Sequence, residues 1–235
     1  MTPDQRRRYS RNIMLPEIGK EGQRRLLDAH VLVIGAGALG SISAMYLAGS
    51  GVGRITVADF DTIDISNLQR QLSFTTAQCG RKKAEALRER IAEINPDIEV
   101  TAIDSMITSR QIDELTRGAD LVLEGSDNPA TKYMVSDSCT RCGTPYVLGG
   151  VAQWQGQVMS WRQGYPCYRD IFPEAAEDGG FTPCSIGGVL GPLPGIIGSW
   201  QAAEAIKILT GSGSPLYGRM ALVDILAASS RIVDL

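Results

Sequence analysis

Five ionisable side chains stand where apolar runs of this sequence end or helix-forming stretches begin: Asp59, Asp61, Arg70, Lys83 and Asp127. Two acids just past a strand suit a ribose and a metal or adenine neighbour. Arg70 and Lys83 are the cations expected around a triphosphate. Asp127 suits Mg2+, because hard cations prefer carboxylate oxygen. Ahead of all five runs the turn Gly35-Ala36-Gly37-Ala38-Leu39-Gly40. Gly35 permits a tight bend, Gly37 lets a phosphate approach the backbone, and Gly40 allows close helix packing. The glycine turn alone fits a dinucleotide oxidoreductase equally well, or a turn needed only for packing. NAD needs fewer cations and no magnesium ligand, so the set favours ATP. Taken singly, Arg70 and Lys83 read as solvated surface charges, and Asp127-Asn128 as a helix N-cap pair. Their joint placement on one sheet edge argues for a site.

The elements that must position these groups follow from periodicity. Val31 to Ile34 is an unbroken apolar run, as a buried parallel strand reads, and Arg54 to Ala58 is a second. Between them lies a helix. Further strands are expected at Glu99–Ile103, Leu121–Glu124, Pro145–Gly149, Gln157–Arg162 and Arg219–Ile225. Helices are expected after the Thr2 cap with Pro3 in the first turn, then over Lys20–Asp28, Gly80–Ile94, Ser109–Thr116, Thr131–Cys142 and Ser199–Leu209. Thr62 to Arg70 reads as an irregular loop with a short helix. Tyr165 to Gly188, rich in Pro, Gly and acids, reads as a long mobile loop. The pattern predicts an α/β fold: a Rossmann-like, mostly parallel sheet with helices on both faces, a C-terminal antiparallel extension and a mobile crossover loop. Residues 1–235 are read as one domain.

Composition narrows the chemistry. The chain has a single histidine, His30, directly before the first strand. Ser-His-Asp or Cys-His catalysis would rest on that residue alone, and a multi-histidine metal site is excluded. Catalysis therefore falls to carboxylates, arginines, lysines, thiols and backbone amides. A net charge of -3 argues against nucleic acid as the main partner. No apolar run approaches the roughly 20 residues of a membrane span, and no secretory signal is read at the N-terminus. The expected location is the cytoplasm, with the five cysteines reduced.

Beyond the glycine turn, several blocks are more specific: RYSRNI (Arg8 to Ile13), ADFD (Ala58 to Asp61), SNLQRQ (Ser66 to Gln71), INPDI (Ile94 to Ile98), SDNPAT (Ser126 to Thr131), CYR (Cys167 to Arg169) and GVLGPLPGIIGSWQAAEAIKIL (Gly188 to Leu209). Together they resemble the ThiF/MoeB/HesA family of ubiquitin-activating-enzyme-like adenylyltransferases, over nearly the whole chain. The resemblance implies ATP- and Mg2+-dependent adenylylation of the C-terminal Gly-Gly carboxylate of a ubiquitin-fold sulfur carrier, nearest to the thiamine branch. It implies nucleotide contacts from Gly35, Gly37, Ala38, Gly40, Asp59, Asp61, Ser66, Asn67, Leu68, Gln69, Arg70, Lys83, Asp127 and Asn128, with Asp127 on the magnesium. Arg11 would reach into a partner subunit's site, implying a homodimer. The domain would then comprise N-terminal helices (1–29), a nucleotide-binding half (30–150) and a carrier-binding half (151–235) with the loop 165–188. Cys184 matches the position of a thiol that can capture the activated carrier, with a cysteine desulfurase or sulfurtransferase as a further partner.

Two departures stand out. Zinc-bearing relatives have CYRC and a later CxxC, whereas this chain has Cys167-Tyr168-Arg169-Asp170 and no cysteine after Cys184. No zinc is expected. Lys132 stands where relatives commonly carry arginine, keeping charge but losing bidentate geometry, with a weaker nucleotide or carrier contact expected. Cys139 and Cys142 form a CxxC read as structural, and Cys79 reads as inert. Alternatives are the same chemistry on a molybdopterin-pathway carrier or a peptide, or a non-catalytic protein that docks a ubiquitin-fold partner.

Overall fold

The computed structural model of the protein describes residues 1–173 and 187–235; Cys184 lies outside the described residues. Three N-terminal helices, α1 (Pro3–Arg8), α2 (Ser10–Ile13) and α3 (Gly19–Asp28), lead into β1 (His30–Ile34). Then come α4 (Ala38–Ser50), β2 (Arg54–Ala58), α5 (Lys83–Ile94), β3 (Glu99–Ile103), α6 (Ser109–Arg117), β4 (Leu121–Glu124), α7 (Pro129–Cys142) and β5 (Tyr146–Ala152). The chain continues through β6 (Gln155–Trp161), α8 (Tyr168–Ile171), α9 (Pro192–Thr210), β7 (Arg219–Asp224) and β8 (Ser229–Asp234).

The eight strands form one sheet in the order β3-β2-β1-β4-β5-β6-β7-β8. β3, β2, β1, β4 and β5 run parallel, and β5 through β8 pair antiparallel. The expected sheet, with its antiparallel extension, is the one observed. Because strand side chains alternate, Val31 and Val33 of β1 enter one core and Leu32 and Ile34 enter another on the opposite face. The first core is covered by α3, α4, α5 and α9, and the second by α6, α7 and α8.

The N-terminal helices are docked by two of the sequence blocks. Tyr9 is fully buried, and its hydroxyl accepts a 2.8 Å hydrogen bond from Asn95 Nδ2. Arg8 donates to Ile94 O at 3.1 Å and pairs with Asp97, and Asn12 Nδ2 donates to Ser50 O. RYSRNI and INPDI are thus two sides of one contact, which leaves Arg11 exposed on α2.

Several boundaries differ from the sequence reading. α5 starts at Lys83 rather than Gly80, because Gly80 adopts φ +86° in a turn. α7 starts earlier, with Pro129 in the first turn and Asn128 as the cap. α9 starts seven residues before Ser199, since Pro192 and Pro194 sit in its first turn, where proline costs no hydrogen bond. A short helix, α8, lies within the segment read as a loop. The edge strand β8 went unread because its polar SSRIVD lacks an apolar run.

Candidate active site

β1 pairs with β2 on one side and β4 on the other, so the chain order reverses there. Open α/β sheets bind ligands outside the carboxyl ends of their strands at such a switch point. The structure has a pocket there. One wall is the glycine turn with Asp59, Asp61, Arg70, Gln71 and Lys83. The opposite wall is Gly125, Ser126, Asp127, Asn128, Thr131 and Lys132. Phe60, Met106, Ile107 and Met134 add an apolar side, suited to a flat base.

The turn is built for close approach. Gly35 takes φ +91°, a conformation that favours glycine. A Cβ on Gly40 would stand 1.8 Å from the Gly35 carbonyl oxygen. Gly40→Ala is therefore expected to cost about 3 kcal/mol, checked by denaturant unfolding; a loss below ~0.5 kcal/mol would show that the turn yields freely. Gly37 is the N-cap of α4 and brings no capping side chain, so the first-turn amides face the pocket, where a helix start favours an anion.

Asp59 holds the turn from below. Its Oδ2 accepts from Ala36 N at 2.7 Å and its Oδ1 from Asp61 N at 2.8 Å. Burial raises its pKa above 3.8 against these two hydrogen bonds and the nearby Lys83. An acid with a raised folded pKa stabilises the fold at acidic pH, a gain lost as pH rises through that value. Its ionised form is thus a cost to the fold and an asset to a ligand bearing hydroxyl donors. Nucleotide affinity is expected to fall on acidification, starting above the ordinary aspartate range, without loss of fold from this group. Calorimetric titration against pH, with Asp59→Ala lacking the transition, is the check.

Lys83 is buried and pairs with Asp61 at 2.9 Å. Arg70 donates from Nη1 to Ser66 O at 3.1 Å while lining the pocket. Asp127 is exposed and takes part in no hydrogen bond or ion pair among the described residues. Among those residues no three His, Cys, Asp or Glu groups come together. A magnesium ion needs no such cage, since one carboxylate plus substrate phosphates and water suffice. Asp127 fits that role.

Ser66, Asn67, Leu68 and Gln69 stand off the pocket wall. Asp64 accepts from Ser66 N and Oγ, and Asn67 Oδ1 accepts from Asp64 N. Leu68 packs on the core, and Gln69 lies against Gly191 at the start of α9. This loop positions Arg70 and Gln71. Gln71 closes the SNLQRQ block but is not among the nucleotide contacts the resemblance implies. It is buried in the pocket wall, its Nε2 near Gly37, and its Oε1 lacks a hydrogen-bond partner among the described residues. Gly40 lies behind the turn, and Arg11 lies away from the pocket, with Nη1 3.8 Å from Met14 Sδ.

Three other residues are engaged elsewhere. His30, at the far end of β1, has Nδ1 2.6 Å from Gly118 O and Nε2 2.9 Å from Thr56 Oγ1. Cys139 is buried, which pushes its thiol far above the ordinary range, and Cys142 is in contact with Asp113 O. Cys139 is not available as a nucleophile in that state.

Residues 9–235 match the ThiF family. The chain belongs to that family. It is 41% identical over 236 residues to the sulfur carrier protein adenylyltransferase of Thermus thermophilus, covering 98% of this chain and 87% of the relative. It is 42% identical to the SAMP-activating enzyme E1 of Haloferax volcanii, over 92% of this chain and 80% of that protein. Against the adenylyltransferase and sulfurtransferase MOCS3 of Dictyostelium discoideum the identity is 41%, but this ThiF-family chain spans 55% of that protein's length. Among solved structures, E. coli MccB with MccA-N7isoASN superposes with a TM-score of 0.86 over 97% of this chain and 71% of its own, at 22% identity, which shows a shared fold. No helix among the described residues is long and apolar enough to cross a membrane.

Proposed function

We propose that this ThiF-family chain adenylylates the C-terminal Gly-Gly carboxylate of a ubiquitin-fold sulfur carrier, using ATP and Mg2+ and releasing pyrophosphate. One observation carries the reading. A single pocket at the switch point joins a half-buried acid, two cations, an open helix start and an unpaired carboxylate. The names of the Thermus and Haloferax relatives support it.

The chemistry suits a site without histidine. The attacking carboxylate is already ionised at neutral pH, so no general base is needed. Its oxygen bonds to the α-phosphorus as the bond to pyrophosphate breaks, and pyrophosphate leaves with the electron pair. The site's task is to bring two anions together and neutralise the charge gathering on phosphate oxygens. Asp59 holds the ribose hydroxyls, the Gly37 turn and α4 amides face phosphate, and Arg70 and Lys83 supply positive charge. Asp127 would hold magnesium, which supplies further neutralisation. Arg11 would complete the site of the partner subunit in a homodimer, since its planar fork stays charged and reaches two oxygens at once. The carrier is assigned to the thiamine branch, with a molybdopterin-pathway carrier or a peptide as the alternatives.

Cys184 is proposed to capture the activated carrier: its thiolate attacks the acyl carbon of the adenylate, a thioester forms and AMP leaves; a desulfurase or sulfurtransferase would then supply sulfur. Cys184→Ser is expected to spare adenylation and remove any covalent carrier adduct, read by non-reducing electrophoresis and mass spectrometry. An adduct that persists assigns capture to another residue. The central test is ATP–pyrophosphate exchange with Gly-Gly-tailed carriers of both pathways. Exchange with one carrier establishes the activity and the pathway together. ATP binding without exchange favours the non-catalytic docking protein.

A further inference from the structure

One wall of the pocket includes Lys132, which belongs to a buried ion pair. Glu124, the last residue of β4, is fully buried, and Lys132, one turn into α7, is nearly so. Lys132 Nζ lies 2.5 Å from Glu124 Oε2, 2.8 Å from Ser126 O and 2.7 Å from Gly149 O. An ammonium has three N–H donors, and all three are taken. None is left for a phosphate or a carrier, so Lys132 is not the nucleotide or carrier contact expected from its place in the chain.

The other oxygen of Glu124 accepts from Ser126 N at 2.8 Å and from Ser126 Oγ. The Glu124 carbonyl accepts in turn from Gln201 Nε2 at 2.7 Å. Every polar group of Ser126 is therefore held by this one pair. The next residue is Asp127, whose own carboxylate is held by no group among the described residues. Desolvating two charges gives a fold little net stability, and well-packed apolar residues often serve as well. What the pair does supply is direction: it sets the path by which the chain leaves β4 at the pocket.

We propose that Glu124 and Lys132 are positioning residues that fix the Ser126 backbone so that Asp127 faces the pocket, and thereby set how strongly a divalent cation assists nucleotide binding. The second half of this statement rests on the proposed reading of Asp127; the first does not.

The test uses the full-length protein and the variants Lys132→Met, E124Q/K132M and E124D/K132R. The first leaves Glu124 without its partner. The second removes both charges together, so no unpaired charge remains buried if the single variant fails to fold. The third moves reach from the acid to the base. Two quantities are read: amide hydrogen exchange across residues 125–131 without ligand, and the gain in ATP affinity on adding Mg2+ in place of EDTA. In Lys132→Met and E124Q/K132M, exchange in that segment is expected to rise about tenfold against unchanged β7 and β8. The magnesium gain is expected to fall about tenfold, the size typical of residues supporting a metal ligand. E124D/K132R is expected to recover both, which loss of packing alone would not. A folded Lys132→Met or E124Q/K132M with wild-type exchange over 125–131 overturns the proposal. A wild type that binds ATP without any magnesium gain overturns the functional reading of Asp127, while the exchange comparison still decides the pair.

Discussion

Asp127→Ala is expected to abolish carrier-dependent pyrophosphate exchange, with a loss of at least about 10²–10³-fold, while the protein stays folded. The two halves of this expectation have separate causes. Asp127 is exposed, lies beyond the end of β4 and bonds to nothing among the described residues, so its truncation removes no contact that holds the fold. Substitutions of that kind shift stability by roughly 0.5 kcal/mol or less. In the reaction it would carry the magnesium, whose charge offsets that building on the phosphates, and the other two carboxylates of the pocket are already engaged, Asp61 with Lys83 and Asp59 with the amides of Ala36 and Asp61. Thermal unfolding and exchange on the same preparation check both halves. Retained exchange would remove Asp127 from the mechanism. Loss of the fold would show that the Gly125–Asn128 turn depends on the carboxylate itself.

Arg11→Ala and Asp127→Ala, each inactive alone, are expected to recover about a quarter of wild-type activity when mixed in equal amounts and allowed to exchange subunits. Half of the dimers would then be mixed. In each of these one site has its own Asp127 and an Arg11 from its partner, and the other site lacks both. The expectation rests on the proposed homodimer, with which the position of Arg11 is compatible. Tyr9, Asn12 and Arg8 all tie α1 and α2 to the body, through Asn95, Ser50, Ile94 and Asp97. Arg11 stays exposed on this anchored segment and off the pocket of its own chain. A mixture as inactive as its parents, with subunit exchange verified by native mass spectrometry, would place Arg11 in its own site or outside the reaction.

Much of this architecture was legible in the sequence because its signals are local. Buried parallel strands carry unbroken apolar runs, and β2 and β4 fall at the residues that pattern indicates. Gly35 and Gly40 announce a turn that only glycine tolerates, since one needs φ +91° and the other backbone contact with it. Asp59, Arg70, Lys83 and Asp127 could be chosen because charged groups at strand ends and helix starts are those a Rossmann-like sheet gathers at one edge. The edge strand β8 was not legible, because it is mostly polar and largely exposed. Nor was the start of α9, whose two prolines read as a break until they prove to lie in the first turn.

The roles of neighbouring residues separated only in three dimensions. Arg70 and Gln71 face the pocket while Ser66 and Asn67 turn to Asp64, although all four share one short block. Lys132 and Lys83 are both buried lysines in the pocket wall, but the first has spent every donor on Glu124, Ser126 and Gly149. Residue type and spacing specify which chemistry a chain can carry and at which end of its sheet. Which donor is already satisfied depends on groups brought together from distant positions, such as Gly149 beneath Lys132 or Asn95 against Tyr9, and such contacts exist only once the sheet and its helices have packed.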